Sequence, residues 1–218
     1  MNIAIDGPAG AGKSTIARLA AKELGFLYVD TGAMYRAIAL YLLQTETDIS
    51  DEVSLKKALD NIQINIIYEA GVQHVFLNLS DVSAEIRSEK VGNMASKSSA
   101  LPPVREKLLD LQRDIAKKND VIMDGRDIGT NILPNAELKI YLTASVEVRA
   151  KRRYDELKNR GELPDLSVIK KDIELRDQQD MNRAIAPLKQ AEDAVLIDSS
   201  DMSINEVVKK IVELERNL

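Results

Sequence analysis

The sequence predicts an α/β protein: a five-stranded parallel sheet flanked by helices. Three observations carry that expectation. Five short apolar runs (residues 2–6, 26–30, 121–124, 138–142 and 195–198) alternate with segments of helical periodicity. A glycine-rich turn, Gly7 to Ser14, joins the first run directly to a helix. The strand–helix–strand order that results calls for a parallel, right-handed crossover.

The first run, residues 2–6, ends at Asp6 and opens into Gly7-Pro8-Ala9-Gly10-Ala11-Gly12-Lys13-Ser14-Thr15. This fits the phosphate-binding pattern G-x-x-x-x-G-K-[ST] at every required position. A loop that wraps a phosphate turns its N–H groups inward, which side chains would obstruct and glycine permits. The helix that follows aims its unpaired N–H groups at the same anion. Lys13 is expected to reach the β- and γ-phosphates, and Ser14 to offer a hydroxyl to Mg²⁺. Ile16, Leu19, Ala20 and Leu24 give that helix one apolar side, and Gly25 is a natural stop.

The second strand, 26–30, runs into Asp30-Thr31-Gly32-Ala-Met-Tyr35-Arg36. The chain is expected to turn at Thr31-Gly32 and enter a helix reaching about Leu43. Ligands of open α/β sheets bind beyond the carboxyl ends of the strands, which puts Thr31 and Arg36 on the ligand side. A short helix over 51–60 precedes two alternating runs, 62–68 and 73–79, joined by Glu69-Ala70-Gly71: the pattern of a β-hairpin. It breaks the α/β alternation and reads as an insertion packed on the core.

Residues 80–118 read as mostly helical, broken at Pro102-Pro103. Proline at a helix start places Arg105 in the first turn, where the helix dipole disfavours a cation. That hints at a ligand for Arg105. The third strand ends at Asp124 and exits through Gly125-Arg126-Asp127-Ile128-Gly129-Thr130. An apolar strand ending in aspartate is how a phosphate-loop enzyme fixes Mg²⁺ or its water shell, here through Asp124. After the fourth strand comes a basic helix with Arg149, Lys151, Arg152 and Arg153, a break at residues 161–164, and a second helix over about 167–181. Arg176, Asp180 and Arg183 are spaced by four and three, as on one helix face. Two arginines flanking an aspartate suit a phosphate and ribose hydroxyls. The fifth strand and a helix from Ile204 to about Leu214 close the chain.

Composition bounds the chemistry. The 218 residues are 44% apolar and 30% charged, with a net charge of −5, which argues against a long polyanionic partner. There is no cysteine and one histidine, His74, so neither a thiol site nor a histidine metal cluster is expected. No apolar run approaches a transmembrane length, and no charged-then-apolar leader precedes the first strand, so the protein reads as cytoplasmic.

The phosphate loop alone says nucleotide, ATP or GTP with Mg²⁺, and leaves the reaction open. The second anion-binding set, Arg36, Arg105, Arg126, Arg176 and Arg183, narrows it. A nucleotide-binding switch has no use for a second phosphate site. A small-molecule kinase does, because donor and acceptor must be held in line while charge builds between them. A kinase for UMP, AMP or a non-nucleotide acid remains an alternative on these grounds.

Four stretches, Gly7–Ser14, Asp30–Arg36, Asp124–Thr130 and Arg176–Arg183 followed by Ala-Ile-Ala-Pro187, resemble bacterial cytidylate kinases in content, order and spacing. The resemblance implies a P-loop kinase domain over 1–218, with a five-stranded parallel core (about 1–30, 119–145 and 185–218). It also implies a monophosphate-binding part carrying a small antiparallel β insert (about 31–118) and a helical lid (about 146–184). It implies ATP-dependent phosphorylation of CMP and dCMP in pyrimidine nucleotide metabolism, by a monomer that needs Mg²⁺ and binds neither membrane nor nucleic-acid polymer. Residue by residue, Gly7 to Thr15 with Arg152 and Arg153 would bind ATP. Thr31, Arg36, Ser96, Arg105, Arg126, Asp127, Arg176, Asp180 and Arg183 would bind CMP, the cytosine edge falling to Ser96, Arg105 and Asp127. Lys13, Arg126 and Arg183 would carry catalysis, with Ser14 holding Mg²⁺ directly and Asp124 through water. Thr31 stands where the family often has serine, and Gln179 where some relatives carry a base.

Overall fold

The computed structural model describes residues 1–218. In chain order it contains β1 (Asn2–Asp6), α1 (Lys13–Leu24), β2 (Leu27–Asp30), α2 (Thr31–Gln44), α3 (Glu52–Asp60), β3 (Ile64–Glu69), β4 (Val72–Leu77) and β5 (Ser80–Asp81). There follow α4 (Glu89–Ser98), α5 (Pro102–Lys118), β6 (Val121–Gly125), β7 (Leu138–Thr143), α6 (Val146–Asn159), α7 (Leu166–Asn182), β8 (Val195–Asp198) and α8 (Ile204–Arg216). The main sheet is parallel throughout, in the order β2-β6-β1-β7-β8.

Both faces of this sheet are covered, which is why its strands read as continuous apolar runs. Alternation sorts each strand between two cores. Ile3, Ile5, Ile122 and Ile140 point to one side, against Ile16 and Ala20 of α1 and Val207 and Ile211 of α8. Ala4, Val29 and Met123 point to the other, against Met34 and Ile38 of α2 and Leu108 of α5. The antiparallel strands β3-β4-β5 form a small separate sheet, and its Ile64, Val75 and Leu77 join the α2-side core. The insertion therefore packs on the core as expected, with a third strand beyond the expected hairpin.

Three local expectations need correction. Residues 31–32 do not turn: Asp30 is itself the helix cap, its carboxylate accepting the Ala33 N–H at 2.9 Å, and α2 starts at Thr31. Residues 80–88 are not helical, since Ser80–Asp81 pairs with β4 and Glu85–Arg87 makes only a 3₁₀ turn. Arg183 lies beyond the end of α7, in extended backbone, so the 176/180/183 spacing does not lie on one helix.

α6 and α7 form an antiparallel pair with a small core of its own, Ala150, Ile169 and Ile173, against which Val146, Tyr154 and Leu157 are partly buried. A unit with so little buried apolar surface belongs to the low end of local stability.

Gly7 is at φ +149°, and a Cβ there would lie 1.9 Å from the Leu142 carbonyl oxygen on β7. Gly25 is also left-handed, at φ +75°, but has open space around it. Gly25→Ala is therefore expected to cost about 1 kcal/mol, and Gly7→Ala about 4 kcal/mol or more, measured by urea unfolding.

Candidate active site

The glycine loop leaves β1 in the left-handed region at Gly10 (φ +76°) and Gly12 (φ +88°). Gly12 is also the cap position of α1, and no side chain caps that helix, so its first N–H groups stay open to an anion. Lys13 folds back beneath the loop, 5% exposed, with Nζ donating to the Pro8 carbonyl at 2.8 Å. Burial, and then the nearby Arg126 cation, push its amine well below the usual lysine range. A buried cation next to another cation is a position that favours an added negative charge.

Asp124 stands beside Ser14 at the end of β6. The Ser14 hydroxyl donates to its Oδ2 at 2.9 Å and the Tyr28 hydroxyl to its Oδ1 at 2.9 Å. Burial, and then neighbouring Asp30, push the Asp124 carboxyl up to about 6. One hydroxyl and one carboxylate in contact suit Mg²⁺, which keeps several waters and takes one or two protein oxygens besides those of a phosphate. No cluster of three or more His, Asp or Glu side chains forms a cage of its own.

The exit from β6 is not an open loop. Ile128–Ile132 forms a π-helical turn, and the buried Asp6 carboxylate accepts its first two N–H groups, from Ile128 and Gly129, both at 2.8 Å. Burial pushes the Asp6 carboxyl up to about 6 against those two donors. Gly125 is required at the start of the exit, because a Cβ there would lie 2.6 Å from Ile128 and 2.9 Å from the Thr31 hydroxyl.

The arginines from distant parts of the chain gather here. Arg126 Nε donates to Asp180 at 2.8 Å. Asp127, 3% exposed, accepts from Arg105 and from Arg183, the latter at 3.2 Å. Arg105 also lies over the Tyr35 ring, 5.6 Å from its centroid. Burial and the neighbouring Arg126 cation push the Arg176 guanidinium down to about 10, and its Nε has no partner. Arg36 is lowered as well, by burial and then by Arg87, and its Nη1 rests on the Ile86 carbonyl at 3.2 Å. Burial opposes ionisation of Asp180, but Arg126 together with Arg176 and Arg183 holds its carboxyl below the usual range. Cations thus outnumber carboxylates in a cleft next to Lys13, as a doubly charged phosphate requires.

Comparison with known proteins now bears on this geometry. The family model for cytidylate kinase matches residues 3–217. The chain belongs to the cytidylate kinase family. A cytidylate kinase from Caldicellulosiruptor saccharolyticus is 52% identical over 214 residues, 98% of this chain and 95% of its own. One from Lactobacillus johnsonii is 49% identical over 214 residues, 98% of this chain and 93% of its own. Among solved structures, an uncharacterized protein from Eubacterium ventriosum shares the fold alone: TM-score 0.53 at 12% identity, covering 100% of this chain and 99% of that one. The protein is a phosphotransferase, a kinase that uses ATP. No helix in it is long and apolar enough to cross a membrane.

Not every residue singled out in the sequence lies where a free contact would be. Thr31 of this cytidylate kinase is 3% exposed and its hydroxyl donates to the Asp124 carbonyl at 2.8 Å, joining α2 to β6. Ser96 is half-buried on α4. Arg152 is held by the Ser199 carbonyl at 2.8 Å, with its Nη1 4.0 Å from where a Cβ on Gly12 would sit. Arg153 pairs with Glu156 on the surface of α6, at 2.9 Å. So the structure brings Arg152 to the loop, while Arg153 pairs along its own helix yet lies near enough to Arg36 to help lower that guanidinium.

Other residues of the site escape sequence reasoning. Buried Arg149 donates to the loop carbonyl of Ala9 at 2.9 Å and to Asp177 of α7 at 2.6 Å, tying both to α6. Its one signal is its place a helical turn before Arg152 and Arg153. Gly92 leaves room for the Arg36 guanidinium, since a Cβ there would lie 2.9 Å from its Nη1 and push it aside. Gln73 of the insertion clamps both backbone groups of Asp30, accepting the N–H at 2.9 Å and donating to the carbonyl at 3.2 Å. Asp6 had a signal, its place just before Gly7.

The two raised carboxyls predict a pH response. As pH falls through about 6, Asp124 and Asp6 take up protons. Asp124 then loses the charge facing Ser14, and Asp6 loses acceptor strength for the turn. kcat/KM for ATP, which reports the free enzyme, is expected to fall on the acid side with a midpoint near 6, in an ADP-release assay at fixed free Mg²⁺.

Proposed function

We propose that this cytidylate kinase moves the γ-phosphate of ATP to CMP, and to dCMP, between a glycine-lined and an arginine-lined cradle. The observation that carries this reading is the gathering of Arg36, Arg105, Arg126, Arg176 and Arg183 beside Lys13. The loop Gly7–Thr15 holds the ATP phosphates, with Arg152 and Arg153 of the lid closing over them. Arg36, Arg126, Arg176 and Arg183 hold the acceptor phosphate, and Arg176 and Asp180 the ribose hydroxyls, with Thr31 beside them. Ser14 would hold Mg²⁺ directly and Asp124 through water, and the ion would supply neutralisation of the phosphate charge.

The acceptor phosphate is already a nucleophile, so no general base is needed. Lys13, Arg126 and Arg183 act by meeting the charge that spreads over the transferring group. Closure of α6 and α7 excludes water and suppresses ATP hydrolysis.

Base choice falls to Ser96, Arg105 and Asp127. Cytosine offers an amino group to a carboxylate, and arginine can donate to its ring nitrogen and carbonyl. Uracil presents a carbonyl where the amino group was, which faces the Asp127 carboxylate with no hydrogen between them.

A panel of CMP, dCMP, UMP and AMP in a coupled ADP-release assay tests the substrate claim, and faster turnover of UMP or AMP than of CMP would refute it. Lys13→Ala is expected to lower kcat by about 10²- to 10³-fold with an unchanged melting curve. Asp127→Ala is expected to cut the CMP/UMP ratio of kcat/KM at least about tenfold while KM for ATP stays within about twofold. Equal losses for both pyrimidines would show that Asp127 does not read the base.

A further inference from the structure

The turn that carries Asp127 is held from three directions. Asp6 takes its first N–H groups. Arg113 of α5 takes its last carbonyls, donating to Ile132 at 3.1 Å and to Asn131 at 3.0 Å. The third hold is a side chain within the turn: Asn131 Nδ2 donates to Asp127 Oδ2 at 3.1 Å. A carboxylate only accepts, so the amide nitrogen of Asn131 is the atom that faces it.

The other two donors to Asp127 differ in kind. Arg105 comes from α5 and Arg183 from beyond α7, each on a long side chain with a partner elsewhere. In the reading given above, both also have ligand groups to bind. Their bonds to Asp127 are therefore exchangeable when an acceptor enters. Asn131 is four residues along the same turn, and its own backbone N–H donates to the Asp127 carbonyl at 3.0 Å. It moves with Asp127 and stays bonded to it.

We infer that Asn131 is a specificity-determining positioning residue: it keeps the Asp127 carboxylate aimed while the arginines turn to the ligand. The inference rests on Asp127 reading the acceptor base. A carboxylate that loses this brace presents the wrong edge to the cytosine amino group. Uracil gains little from that carboxylate in either position, so it loses little.

Asn131→Val removes the donor and keeps similar bulk, and Asn131→Ser restores a short donor. Asn131→Val is expected to raise KM for CMP by about tenfold or more, the size of one lost hydrogen bond to a charged group, and to lower the CMP/UMP ratio equally. KM for ATP is expected to stay within about twofold. Asn131→Ser is expected to fall between, and serves if Asn131→Val does not fold. Asp127→Asn is assayed in parallel. If it alters CMP and UMP alike, the base-reading role fails, and this inference with it. If it collapses the ratio while the Asn131 variants leave both KM for CMP and the ratio unchanged, the base-reading role stands and the inference is overturned.

Discussion

The structure depends on how a cleft full of buried cations is balanced by its own carboxylates. Guanidinium groups removed from water need partners, and the fold supplies carboxylates chosen for geometry: Asp180 for Arg126, and Asp127 for Arg105 and Arg183. The balance is incomplete. Arg176 keeps a buried Nε with no acceptor, and Arg36 rests on carbonyls alone. Lys13 makes do with a backbone oxygen of its own loop. Each deficit is a site where an anion adds more than water can. The carboxylates hold the arginines in place, and the residual positive charge is left available to an anion.

Sheet topology makes this concentration possible. β2, β6 and β1 are neighbours, and their register pairs Asp30 with Asp124 and Asp6 with Gly125. Three acidic residues therefore emerge at one end of three adjacent parallel strands, where the helix starts also point. Each then has a different task because its donors differ. Asp30 caps α2, Asp124 faces Ser14 and Tyr28, and Asp6 caps the turn after β6. Asp6 immediately precedes Gly7, so one residue fixes both the start of the glycine loop and the turn bearing Asp127.

Much of this was legible in the sequence. The glycine loop is a local device whose demands appear as spacing. The five strands, the insertion and the closing helix follow from periodicity and punctuation, because each is set by near neighbours in the chain. The misreadings have separate causes. Residues 31–32 read as a turn because a Thr-Gly pair suggests one, yet Asp30 caps the helix and the Thr31 hydroxyl is spent on β6. Arg183 read as a helical residue because spacing alone cannot show where α7 ends. The contacts of Arg149, Gln73 and Arg113 join residues far apart in the chain, and no pattern in one sequence announces such pairs.

The α6–α7 pair is joined to the rest of the fold by charged side chains more than by apolar packing of its own. Its own apolar core has three buried residues, with Val146, Tyr154 and Leu157 partly buried against them. What ties it to the rest is ionic: Asp180 to Arg126, and Arg149 to the loop carbonyl at Ala9 while paired with Asp177. An apolar contact is indifferent to a phosphate nearby, whereas a guanidinium shared between a carboxylate and a carbonyl is not. An anion in the cleft would compete with Asp180 for Arg126, because α7 and the exit of β6 share that contact. A larger hydrophobic interface would hold these helices more firmly and would not respond to charge in the cleft, whereas ion pairs and charged hydrogen bonds do.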